Sequence, residues 1–108
     1  MTGLREPTYF ILAALQAEAL HGYAIIKRAD ELSGGRVRLA TGTLYTALDR
    51  LTGEGLIRVV NDEVINGRAR RYYALADEGR AALQAEALRM AEAAKVVLPA
   101  LSLKARPA

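Results

Sequence analysis

The chain has 108 residues, of which 52% are hydrophobic, so its length and composition fit a single domain with an apolar core. Its net charge of +3 is only mildly basic, and local clusters of arginine must therefore carry any argument for nucleic-acid binding. One histidine and no cysteine exclude a disulfide framework, thiolate chemistry and a two-histidine metal site. No catalytic triad or phosphate loop occurs, so we predict neither an enzyme nor a bound cofactor.

The first predicted element is a buried helix. Pro7 suits a first helical turn, and the nearly continuous apolar run from Tyr9 to Leu20 predicts a helix that is covered on most sides. The basic-then-apolar pattern of a signal peptide does not precede it, and the run is too short to cross a bilayer. We therefore expect a cytoplasmic protein without a membrane partner.

A second helix is predicted over residues 23–33, because Ile25, Ala29 and Leu32 recur on one face, and Gly34-Gly35 would end it. Between the two helices lies His21, the only histidine. A lone histidine beside a glycine is more often a packed or capping side chain than a catalytic base. After the glycine pair, residues 36–39 alternate polar and apolar and predict a short strand that joins a later sheet.

The third predicted helix, from Thr41 to Glu54, has one apolar and one polar face. The apolar stripe falls at i, i+3, i+4 and i+7 and consists of Leu44, Ala47, Leu48 and Leu51. Thr41 or Thr43 could cap the helix, and Gly55 could end it. The other face and its flanks supply the candidate DNA contacts, which are Thr43, Tyr45, Thr46, Asp49 and Arg50. The alternative is an ordinary amphipathic helix with a solvated face.

A basic β-hairpin is predicted directly after this helix. Its strands are Leu56 to Val60 and Arg70 to Leu75, and the loop between them contains Asn66-Gly67, which favours a tight turn. Tyr73 and Leu75 are expected in the core with Ile57 and Val59. Its basic side chains, Arg68, Arg70 and Arg71, suit phosphate oxygens, although they could also be a solvated strand edge. Asp62 and Glu63 in the loop argue against DNA because they would repel phosphate.

A long last helix is predicted from Asp77 to Leu98, where Pro99 stops it. An apolar seam with alternating steps of four and three runs along it and consists of Leu83, Ala87, Met90, Ala94 and Val97. At roughly 33 Å the helix is longer than the head before it, so we expect the seam to pack against a second copy of the chain. The alternative is that the helix folds back on its own head. Residues 104–108 are expected to be disordered.

Five segments in this order resemble the PadR-like winged-helix transcriptional regulators. They are Leu4-Arg5-Glu6-Pro7, His21-Gly22-Tyr23, Gly42-Thr43-Leu44-Tyr45, residues 51–57 and residues 67–73. The resemblance implies a dimeric repressor whose third helix enters the major groove and whose hairpin, the wing, touches the DNA backbone. It implies that Tyr45 and the wing arginines contact DNA. It also implies that a hydrophobic small-molecule effector can enter a cavity between the subunits.

We therefore predict a mainly α fold with a small β-hairpin, namely a winged helix-turn-helix domain over residues 1–76 and a dimerisation helix with a short tail over residues 77–108. The predicted partners are double-stranded DNA, at an inverted-repeat operator, and a second copy of the chain. The alternative function is a winged-helix module that docks proteins without binding DNA. The small, polar face of the third helix favours DNA, since a protein-docking surface would more often carry large apolar anchors.

Overall fold

The computed structural model describes residues 3–98, which form four helices and a small antiparallel sheet. The helices are α1 (Glu6–Ala14), α2 (Gly22–Leu32), α3 (Thr41–Gly53) and α4 (Asp77–Val97), and the strands are β1 (Leu20–His21), β2 (Ile57–Ile65) and β3 (Arg68–Leu75). The strand order is β1-β3-β2. This is the predicted mainly α fold with a β-hairpin. The predictions for Pro99 and for residues 104–108 lie outside the described residues.

One apolar core lies between α1, α2, α3, the base of the sheet and the start of α4. Its largest fully buried side chains are Ile11, Leu12, Leu15, Ile25, Leu44, Leu48, Leu51 and Ile57. Burying each of these contributes roughly 1.5–3 kcal/mol before the entropy of folding is counted. The leucines of α3 confirm the predicted stripe, and Ala47 packs against it half-buried. Leu32, expected on the core face of α2, is exposed where that helix ends.

The first predicted helix is too long. α1 ends at Ala14, and Leu20–His21 form a short strand paired with Tyr73 and Tyr72 of β3. A continuous apolar run has no period, so the sequence could not separate a buried helix from a helix followed by a buried strand. This strand takes the place in the sheet that was predicted for residues 36–39. Those residues lie outside the sheet, and the N–H of Val37 donates to Ser33 Oγ at 2.8 Å.

The hairpin of β2 and β3, hereafter the wing, is longer than predicted. Only Asn66 and Gly67 lie between the strands, with φ of 51° and 77°, as a two-residue turn of this kind requires. Pairing continues to Ile65 and Arg68, so the predicted loop is largely strand. The predicted core position of Val59 is wrong, since 39% of it is exposed. It lies on an edge strand next to a register shift, where β2 turns away from the core.

α4 extends beyond the head formed by α1 to β3, and the molecule is 58 Å long but only 26 × 24 Å across. Its first half packs on the head. A Cβ on Gly79 would lie 2.9 Å from the carbonyl carbon of Leu56, so only glycine permits this approach. The buried carboxylate of Glu86 accepts a hydrogen bond from the N–H of Leu4 at 3.1 Å and pairs with Arg89. Among residues 3–98, no helix combines the length and apolarity needed to cross a membrane.

Candidate nucleic-acid interface

The outward face of α3 is small and polar. The side chains of Thr43, Thr46 and Asp49 are all exposed there. The helix begins at Thr41, and its N-cap position is Ala40, which offers no capping side chain. The prediction that Thr41 or Thr43 caps the helix is therefore wrong. Gly55 has a φ of 78° just past the end of the helix, as predicted. At roughly 20 Å, α3 has the length of helix that a DNA major groove accommodates.

Tyr45 packs against the first turn of α2. Its ring lies so close to Gly22 that a Cβ there would be 2.8 Å from Tyr45 Cζ, and closer still to the hydroxyl. The lack of a side chain at Gly22 thus makes room for the tyrosine. The residue keeps 43% of its surface exposed. Tyr45 is therefore held in place and still accessible to a ligand.

Arg50 makes its contacts within the chain. Its Nη2 donates to Thr8 Oγ1 of α1 at 3.1 Å, and its Nη1 lies 3.4 Å from Glu54 Oε1. The bond to Thr8 ties α3 to α1. A contact between Arg50 and phosphate would compete with both bonds, and that contact stays a prediction.

The wing arginines differ in their surroundings. Arg71 lies opposite Asp62 in the strand register, and its Nε donates to Asp62 Oδ1 at 3.1 Å. Neither Arg68 nor Arg70 forms an ion pair within the described part of the chain. Because side chains alternate along a strand, Arg70 and Arg71 also lie on opposite faces. The sequence pattern gave Arg68, Arg70 and Arg71 the same predicted role. In the described structure only Arg71 of these three binds a carboxylate.

A groove of about 450 Å³ separates the tip of the wing from α2 and α3. Its walls include His21 and Tyr23 at the start of α2, Tyr45 of α3, and the wing residues Arg68 to Arg71. No carboxylate lines it. Cationic and hydroxyl-bearing side chains without a carboxylate suit an anionic strand. Tyr23 is not among the DNA contacts predicted from the sequence, although it directly follows His21-Gly22 and lines the groove.

His21 has the capping role expected of it. Its Nδ1 accepts a hydrogen bond from the Ala24 N–H at 3.4 Å, at the N-terminus of α2. Its ring packs edge-on to Tyr72, with centroids 5.5 Å apart. Burial lowers the pKa of His21 below its ordinary value of 6.5, Arg70 lowers it further, and Glu63 acts in the opposite direction. The neutral ring, which can accept the capping bond, is therefore favoured.

This cap should make stability depend on pH. The pKa of His21 is lower in the folded chain than its ordinary value of 6.5. The contribution of the neutral His21 to the free energy of unfolding is therefore complete above pH 6.5 and is lost as the pH falls through the pKa of the folded chain. Between about pH 7 and about pH 5 we expect the melting temperature to fall by a few degrees. The fall should be smaller for His21→Asn, because asparagine caps a helix without titrating. Equal falls in the two proteins would contradict this role.

Glu86 does not disturb that measurement. Its hydrogen bonds from Arg89 and from the Leu4 N–H hold its pKa below the ordinary value of 4.5. The stability that it contributes is therefore present throughout the window and is lost only at lower pH.

The predicted seam on α4 divides into two parts. Leu83 belongs to the core of its own head and is 3% exposed, so it has no surface left for a partner. The prediction that Leu83 belongs to a dimer interface is therefore wrong, because the head of its own chain already buries it. Ala87, Met90 and Val97 are exposed, and Ala94 is half-buried. The exposed part of the seam thus begins at Ala87.

Comparison with known proteins agrees with this architecture. Residues 11–85 match the family model described as "Transcriptional regulator PadR-like family". The chain is 44% identical to "Transcriptional regulator Rv3488" of Mycobacterium tuberculosis over 69 residues, and this alignment covers 64% of each protein. It is 41% identical over 81 residues to an uncharacterized 37.1 kDa protein in transposon TN4556 of Streptomyces fradiae, covering 75% of this chain and 22% of that protein. The chain thus matches less than two thirds of each relative's length.

Solved structures agree as well. Bacillus subtilis PadR in complex with operator DNA aligns with a TM-score of 0.65 and 28% identity, over 74% of this chain and 46% of that one. A PadR family transcription regulator from Clostridium difficile aligns with a TM-score of 0.72 and 29% identity, over 90% and 99%. Helices α2 and α3 with the wing define a winged helix-turn-helix protein. The chain belongs to the PadR-like family of transcriptional regulators.

Proposed function

We propose that the protein is a dimeric repressor that binds double-stranded operator DNA. The observation that carries the proposal is the groove, which is lined by arginines and tyrosines without a carboxylate and lies beside the polar face of α3. In this proposal α3 enters the major groove, with Thr43, Thr46 and Asp49 nearest the base edges and Tyr45 nearer phosphate. Likeness to Bacillus subtilis PadR, whose structure includes operator DNA, supports this arrangement.

The dimer is proposed from the exposed part of the seam. Ala87, Met90 and Val97 continue the face of α4 that packs on the head, and each of them is exposed. An apolar strip of this kind gains stability when a second helix covers it. A two-fold dimer would present two copies of α3 in opposite senses, so the operator would be an inverted repeat with half-sites roughly 34 Å, or a multiple of that, apart.

One observation favours the alternative of a protein-docking module, namely the exposed Val64 and Ile65 near the tip of the wing. The outward face of α3 has no comparable aliphatic anchor. A hydrophobic effector also stays a prediction. A recess of about 290 Å³ between α1 and α4 is lined in part by Tyr9, Phe10 and the seam residue Met90. The cytoplasmic location stays a prediction too.

Selection from a random pool of duplex DNA tests the proposal. The unmodified protein should enrich an inverted repeat. Thr46→Val should change the preferred bases within each half-site, because the hydroxyl of Thr46 is exposed on the proposed reading face. Thr52→Val is the matched control, since the hydroxyl of Thr52 donates to the Leu48 carbonyl at 2.7 Å within the same helix. A pool without any enriched repeat would reject sequence-specific binding, and an unchanged repeat for the Thr46 variant would reject α3 as the reader.

The contact between Gly22 and Tyr45 supports a second prediction about this interface. Alanine at Gly22 should push the Tyr45 ring out of place and weaken operator binding roughly tenfold, since small displacements of a contact group have large effects. In a Tyr45→Ala background the same change should have little further effect, because the ring that it meets is gone. Titration of labelled operator gives the four affinities, and additive losses would contradict the coupling.

A further inference from the structure

The wing contains an ion pair whose position is unusual for a DNA-contacting surface. Arg71 Nε donates to Asp62 Oδ1 at 3.1 Å, and the two residues are direct partners in the β2-β3 register. Their side chains are 56% and 64% exposed, so the pair lies in water and not in the core. Exposed ion pairs stabilise folded proteins little. The pair is therefore poorly explained as a stabilising feature of the hairpin.

Its location connects it to α3. Arg71 shares a face of the wing with Tyr73, which is buried in the core together with the leucines of α3. Arg71 also lines the groove. The Arg71 guanidinium could donate a charge-assisted hydrogen bond to a phosphate oxygen here. At present it donates such a bond to the carboxylate of Asp62.

We propose that Asp62 is an internal competitor of DNA phosphate, which occupies Arg71 and thereby limits the affinity of the wing for DNA. The inference rests on the proposed function. For Arg71 to contact phosphate, its bond to Asp62 must break, and the freed carboxylate then lies close to the phosphate and repels it. Arg68 and Arg70 form no ion pair among the described residues, although Glu63 is the register partner of Arg70. Asp62 thus acts through Arg71 and sets how many phosphate contacts the wing makes.

The test is a double-mutant cycle measured with random-sequence duplex DNA over a range of salt concentrations. Asp62→Asn should raise affinity roughly three- to tenfold and steepen the slope of log K against log salt by about 0.9, the value for one added phosphate contact. Both changes should largely vanish in an Arg71→Ala background. Asp62→Ser should behave like Asp62→Asn, and melting curves establish that each variant is folded.

Glu63→Gln is the control, because Glu63 is the next residue of β2, carries the same charge, lies opposite Arg70 and not Arg71 in the strand register, and forms no ion pair within residues 3–98. Its smaller gain, from local charge alone, should be equal with and without Arg71. If the gain from Asp62→Asn also persists without Arg71, the inference is overturned while DNA binding stands. If the unmodified protein shows no salt-dependent binding to any DNA, the proposed function itself fails.

Discussion

Replacing Arg68 and Arg70 together with alanine should weaken binding to operator and random DNA alike, by roughly a hundredfold near physiological salt. Both residues line the groove between the wing and the helices, and neither holds a carboxylate within the described part of the chain. Contacts to phosphate carry no sequence information, so the ratio of operator to random affinity should stay nearly constant. The slope of log K against log salt should become shallower by about 1.8, for two lost contacts.

Arg28→Ala with Arg80→Ala provides the control for this pair. These arginines carry the same two charges on α2 and α4, outside the lining of the groove. Their removal should have a small effect through long-range attraction alone. If the two double variants lost the same affinity, the wing arginines would be a solvated strand edge and the groove would have no role in binding.

Val97→Asp should separate the proposed dimer into monomers and weaken operator binding at least roughly a hundredfold, because each half-site would then be bound alone. Val97 is 76% exposed in the single chain, so a carboxylate there should be tolerated by the head. It would be intolerable in an apolar seam between two helices, where an unpaired charge loses its water. Sedimentation at micromolar concentration measures the oligomeric state, and titration of operator DNA measures the effect on binding.

Val96→Asp is a closely matched control. Val96 is 82% exposed, has the same side chain and lies on the preceding position of α4, about 100° away from Val97 round the helix and off the seam. This variant should remain dimeric. Met90→Asp is less informative because Met90 also lines the recess against α1, where a charge could disturb folding. A monomeric unmodified chain, or equal effects of the two valine variants, would contradict the proposed interface.

Features that depend on neighbouring residues were predictable from the sequence. The leucine stripe of α3 follows from the helical period, and Leu44, Leu48 and Leu51 are all fully buried. The turn at Asn66-Gly67 follows from the few residues that accept positive φ. His21 was expected to pack or cap, and its capping bond comes from the N–H of Ala24, three residues later. In each case the decisive sterics or hydrogen bond lies within a few residues of the side chain concerned.

Features that depend on distant residues were decided only by the tertiary structure. Leu20–His21 form a strand because they pair with the edge of β3, and no local sequence pattern indicates this pairing. Leu83 entered the head's core, although its spacing alone placed it in a seam with Val97. Arg50 donates a hydrogen bond to Thr8, 42 residues earlier in the chain, and Arg71 donates one to Asp62 across the hairpin. A periodic pattern shows which face of an element is apolar or charged, whereas the partner of that face is determined by how the chain packs in three dimensions.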